Sequence, residues 1–122
     1  TTLMGTIKHN AIVCTTWRKK DAIEARQKAK EIFEAKREGN GELVSELIEY
    51  IVNGGYSFFI APDGSKEGWQ RSNQCDDARE EFTVDAEKYE NHCDYIEIRF
   101  GGDNEHQYIV RSRKHWIWID KI

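Results

Sequence analysis

Apolar positions along the chain switch between two periods, and the switches divide it into elements. Ala11-Ile12-Val13-Cys14-Thr15-Thr16-Trp17 is rich in β-branched and aromatic residues and predicts a strand, with Gly5 and the His9-Asn10 pair marking a hairpin or bulge at its start. From Asp21 the period lengthens. Ala22, Ala25, Ala29, Ile32 and Phe33 share one helical face, Asp21-x-x-Glu24 reads as a capping box, and the opposite face is charged. This helix is expected to run to about Glu38 and stop at Gly39-Asn40-Gly41. Leu43, Val44, Leu47, Ile48 and Ile51 keep a helical register up to Asn53-Gly54-Gly55, so a second helix and a long αα-hairpin are expected.

Beyond the glycines the period returns to two. Tyr56 to Ile60 predicts a short strand, and Pro62-Asp63-Gly64-Ser65 a turn in which proline presets φ and glycine accepts φ > 0. A loop through Lys66-Glu67-Gly68-Trp69 leads to Asn73, where a third, shorter helix is expected to begin, with Ala78, Phe82, Ala86 and Tyr89 helically spaced and Thr83-Val84 weakening its middle. Tyr95 to Phe100 alternates Ile96, Ile98 and Phe100 against Tyr95, Glu97 and Arg99. Gly101-Gly102-Asp103-Asn104 turns it, Tyr108 to Arg113 pairs back, and Trp116-Ile117-Trp118-Ile119 adds a last strand. The fold class expected is α+β in one domain, residues 1–122, with antiparallel sheet, a two-helix hairpin and a third helix.

Composition narrows the function classes. The 122 residues carry 18 Lys+Arg against 22 Asp+Glu for a formal charge of -4, with 39% hydrophobic residues and no apolar run of transmembrane length. Residues 1–40 hold nine of the basic residues against five acidic ones, and residues 71–90 hold three against seven. A pI near 5.6 disfavours polymeric nucleic acid as a partner but leaves room for a small anion held by a few local arginines. Cys14, Cys75 and Cys93 are odd in number and far apart, which argues against a disulfide framework or a zinc knuckle. No secretory leader pattern opens the sequence, so a reducing cytosol is the expected compartment.

Candidate chemistry is cationic and aromatic. Arg111 and Arg113 stand two apart on a strand, so both guanidiniums share a face, about 6 to 7 Å apart, a span that suits two phosphates of one ligand. Each can equally pair with Glu97 or Asp94 on the neighbouring strand. Phe82, with Arg79 one turn before it, offers an aromatic platform for a purine or else belongs to the core. Lys66 offers a charge and Trp69 a stacking face in the glycine-bearing loop. Asp76, Asp77, Glu80 and Glu81 cluster at an expected helix start, a set that suits magnesium or, more commonly, complements the macrodipole. His9, His92, His106 and His115 fall near strand ends or turns, and no G-x-S-x-G, H-E-x-x-H or P-loop is present, so no catalytic constellation, metal site or cofactor is expected. The terminal strand, with Trp116 and Trp118 on one face and Ile117 and Ile119 on the other, is apolar on both sides and fits an oligomer interface.

The block His9 to Trp17, the expected long helices, the block Ser57 to Trp69 and the Asp77-x-Arg79 that follows resemble the first family of phage-encoded Thoeris anti-defence proteins over nearly the whole chain. The resemblance implies a sponge: a non-enzymatic protein that sequesters cyclic ADP-ribose isomers (glycocyclic ADP-ribose) made by bacterial TIR proteins in the host bacterial cytoplasm, without cleaving them. It also implies a homo-oligomer, either a dimer or a hexamer built as a trimer of dimers, and capture of cyclic oligonucleotides at separate pockets in some members. On this sequence it places adenine stacking at Phe82, a hydrogen bond to base or ribose at Asn91, and a pyrophosphate clamp at Arg111 and Arg113. Two other classes stand beside it. One is an immune inhibitor acting by protein contact through the acidic segment 71–90; the other is a small nucleotide hydrolase or lyase with His115 or His9 as general base.

Overall fold

The computed structural model describes residues 6–88, 93–102 and 106–113. A first strand, β1 (Asn10–Thr16), leads into helix α1 (Lys19–Lys36). A short 3-10 turn (Asn40–Leu43) and the two-residue edge strand β2 (Ile48–Glu49) follow. Then come β3 (Tyr56–Ile60), helix α2 (Gln70–Lys88), β4 (Asp94–Arg99) and β5 (Tyr108–Ser112). The strands form one antiparallel sheet in the order β2-β3-β1-β4-β5.

Register decides which face is core. Cys14 on β1 lies opposite Phe58 on β3 and Tyr95 on β4, and Ile12 lies opposite Ile60 and Glu97. Strand side chains alternate between faces, so these residues share one side of the sheet. They pack with Ala25, Ala29, Ile32 and Phe33 of α1 and with Ala78, Phe82 and Ala86 of α2, which places both helices on that same face. The alternation in β4 is as read from sequence, and the side facing the helices is the one bearing Tyr95 and Glu97. Val13, Phe59, Ile96 and Ile98 point the other way, where Phe59 remains exposed.

The expected helical hairpin is not formed. Residues 42–51 are not a second helix, because the outer edge of β3 recruits them. Val44 bridges Ile60, Ala61 N–H donates to the Leu43 carbonyl at 2.9 Å, and Ser45 N–H donates to the Phe59 carbonyl at 2.8 Å. Phe59 N–H donates to Ser45 Oγ at 2.8 Å, after which Ile48 and Glu49 pair with Ser57 and Tyr56. A helix here would spend these groups internally and leave a row of β3 groups unpaired. The apolar register that suggested it is only partly buried: Val44 is core, while Ile48 and Ile51 face solvent.

The expected third, shorter helix is in fact the second. At 19 residues α2 slightly exceeds the 18 of α1, and it begins at Gln70, ahead of Asn73. The helix runs without a break through Thr83, whose hydroxyl donates to the Glu80 carbonyl at 2.9 Å. Helix α1 starts at Lys19 with no side-chain cap, so the Asp21 capping box is not used. Its other end is tied by Glu34, whose carboxylate accepts from Gly39 N–H at 2.9 Å and Gly41 N–H at 3.0 Å while Gly39 adopts φ +93°. Those two amides hold the Glu34 carboxyl below its ordinary range. The expected strand Trp116–Ile119 lies outside the described residues. Among the described residues no helix is long and apolar enough to cross a membrane.

Candidate ligand-binding site

A bulge in β5 creates the arrangement of greatest chemical interest. Arg111 lies opposite Glu97, yet Ile98 lies opposite Ile109, so Val110 is an extra residue on β5. In a regular strand Ile109 and Arg111, two residues apart, would share a face. With Val110 bulged, Ile109 follows Ile98 outward, and Arg111 follows Glu97 toward the helices.

There Arg111 Nε approaches Glu97 Oε1 at 2.9 Å and Nη1 donates to Thr83 Oγ1 of α2 at 3.4 Å, while the side chain stays 35% exposed. Arg113 lies deeper. Its Nη1 donates to the carbonyls of Ala86 and Cys93, both at 2.9 Å, and its Nε faces Asp94 Oδ1 at 3.4 Å. Both arginines are therefore held by the carboxylates whose pairing with them the sequence left open.

Behind Arg111 runs a buried charge network. Glu97, 1% exposed, also accepts from Asn10 Nδ2 at 3.0 Å and faces Arg79 Nε at 3.9 Å. Arg79, equally buried, reaches Asp76 at 2.7 Å and Asp63 at 3.3 Å. Lys8 closes the series on Asp76 at 2.7 Å. Partial burial pulls the Asp76 carboxyl upward, but the hydrogen bonds from Lys8 and Arg79 prevail and hold it below the ordinary carboxylate range. Asp63 also accepts from the Ser65 hydroxyl and from its N–H, at 3.2 Å for the latter.

The proposed ligand residues fall into two groups. Arg79, Phe82, Arg111 and Arg113 gather where β4 and β5 meet α2. Phe82 is 2% exposed and edge-on to Phe58, ring centroids 6.3 Å apart, so its ring lies in the core. Lys66 and Trp69 sit at the start of α2, with the Lys66 ammonium 5.8 Å from the centroid of an exposed indole. At 1.5 Å per residue, Trp69 and Thr83, the α2 residue that Arg111 reaches, stand about 20 Å apart along the helix, so one compact ligand does not touch both Trp69 and Arg111 within a protomer. Asn91 lies outside the described residues, as do His92 and His115.

The sequence offered Glu97 as an arginine partner but not its burial, because a charged residue on an alternating strand ordinarily faces water, and Asn10, which holds Glu97 from behind, gave no signal. Among the described residues no group of three or more His, Cys, Asp or Glu is arranged to hold a metal ion. The chain matches no family model, no curated protein and no solved structure.

Proposed function

We propose that the protein captures an anionic cyclic nucleotide signal, a cyclic ADP-ribose isomer, and holds it without cleavage. The observation that carries this reading is that two arginines of one strand face α2, with Arg111 fixed by Glu97 and partly open to solvent. Glu97 keeps Arg111 in one orientation through Nε, so the Nη nitrogens hold a fixed direction in which a phosphate can replace the long contact with Thr83. Ion pairing costs the guanidinium part of its field and gives it a fixed position, which lowers the entropy lost on binding. Arg113, anchored on two carbonyls, adds positive potential beside it. Phe82 serves as packing that fixes the turn of α2 bearing Thr83. Val13, Phe59, Ile96 and Ile109, all on the face away from the helices, support self-association into a homo-oligomer.

The test is to incubate the purified protein with TIR-produced cyclic ADP-ribose isomers, remove unbound material, denature, and identify what is released by mass spectrometry. Intact ligand in stoichiometric amount supports capture. A cleaved product would instead indicate an enzyme.

A second reading has its own observation. Asp77, Glu80, Glu81 and Asp85 line a groove of about 430 Å³ between α1 and α2, a surface suited to a basic protein partner. Asp76 is not part of it, being committed to Lys8 and Arg79. Reduced partner binding on neutralising Asp77, Glu80 and Glu81, with Arg111 irrelevant, would favour that reading.

A further inference from the structure

We propose that a second site, at the opposite end of α2 from Arg111, binds a nucleoside monophosphate. Between the end of α1 and the loop leading into α2 lies a depression of about 340 Å³, lined by Arg37, Arg71, Trp69, Ser65 and Asp63 among others. That volume is at the lower end of ligand-binding cavities, roughly 300 to 1,000 Å³, and suits a single nucleotide better than a dinucleotide.

Two of the guanidiniums here are left without a carboxylate. Arg26, Arg79, Arg99, Arg111 and Arg113 each face a carboxylate within 4.0 Å. Among the described residues Arg37 and Arg71 do not, and neither does Arg18, which is not part of this depression. Arg37 has one long contact, Nη1 to Gln74 Oε1 at 3.4 Å, and Arg71 Nε is buried without a hydrogen-bond partner. Two guanidiniums lacking a carboxylate, brought to one depression from positions 34 residues apart in sequence, form a phosphate-recognising pair.

The remaining wall supplies the other half of the ligand. Trp69 is 55% exposed, and an indole at the rim of a cationic depression stacks a base while the arginines take the phosphate. Lys66, outside the lining but 5.8 Å from the ring centroid, adds positive charge next to the indole. The one carboxylate in the lining, Asp63, is neutralised by Arg79 at 3.3 Å and accepts from Ser65, so it opposes a phosphate only weakly. The first turn of α2 carries no acidic side chain, leaving its positive end uncompensated beside the same cavity. This site is independent of the cyclic ADP-ribose reading, which concerns β5.

The experiment is calorimetric titration of the full chain with adenosine 5′-monophosphate, adenosine and inorganic phosphate in parallel, repeated on Arg37→Gln, Arg71→Gln, Trp69→Ala and, as a distant control, Arg18→Gln. Thermal unfolding checks that each variant folds. The expected result is saturable binding of the monophosphate, at least tenfold tighter than adenosine or phosphate. It should weaken at least tenfold in each of the first three variants and not in Arg18→Gln. Phosphate binding as tightly as the monophosphate would overturn the nucleotide assignment. Binding that survives Arg37→Gln and Arg71→Gln combined would overturn the site, as would binding abolished by Arg111→Ala, which would place the ligand on β5.

Discussion

Arg111 on β5 and Glu97 on β4 meet at 2.9 Å on the helix-covered face of the sheet, although Ile109, two residues before Arg111, lies opposite Ile98 on the other face. One extra residue, Val110, separates an apolar outward position from a cationic inward one. The same contact joins the partly open arginine to a carboxylate that is otherwise sealed, so the chemistry of the strand and the stability of the core depend on each other.

Val110 is surplus to the ladder, so deleting it is expected to keep Arg111 opposite Glu97 and Ile109 opposite Ile98. The variant should retain the strand signal in circular dichroism and the ligand affinity of the parent. Loss of either would show that the bulge supplies twist the sheet needs.

Arg79 is the central cation of the buried network, facing Asp63, Asp76 and Glu97. Arg79→Met leaves three carboxylates with reduced compensation, and breaking a buried pair by removing one partner costs roughly 3 to 5 kcal/mol. Urea unfolding measures this. A loss below about 1 kcal/mol, the ordinary value of exposed pairs, would mean that water reaches the network.

Two carboxyls, Asp76 and Glu34, are held below their unfolded values. A depressed carboxylate contributes stability that is present above the unfolded pKa, near 4, and is lost as pH falls through the folded value. The urea midpoint should therefore be level with respect to these groups from neutrality down to about pH 5 and fall below about pH 4. Glu34→Gln should lower the midpoint at neutral pH and leave a shallower acid slope, because its two amide contacts with Gly39 and Gly41 no longer gain from charge.

All three cysteines are buried and free. Burial, with Asp63 nearby, pushes the Cys75 thiol up to about 11, and burial together with the neighbouring Cys93 raises Cys14 well above its ordinary value. At pH 8 a disulfide exchange reagent should react slowly with the folded protein and quickly in denaturant, since the thiolate is the nucleophile. Rapid reaction of one thiol without denaturant would reveal local opening of the core.

The extended segments and both observed helices were legible because their apolar periods hold over whole elements, as with Ala22 to Phe33 in α1. Residues 42–51 misled because ten residues with apolar positions at 43, 44, 47, 48 and 51 fit a helix locally, while the need of β3 for an edge partner is a tertiary demand. The arginine pair was legible from the i, i+2 spacing. Its placement against α2 was not, since nothing in Tyr108 to Arg113 marks Val110 as a bulge. Phe82 has the composition of a stacking platform and of a core residue alike, and only packing against Phe58 distinguishes them. Arg37 and Arg71 gave no signal because they meet only through the fold.

The central claim is that Arg111 receives an anionic cyclic nucleotide. Calorimetric titration of the protein with purified glycocyclic ADP-ribose, compared with Arg111→Ala and Arg111→Lys, tests it most directly. Tight saturable binding is expected, with a loss of at least a hundredfold in Arg111→Ala and partial recovery in Arg111→Lys. Equal affinity in all three proteins, or none in the parent, would contradict it.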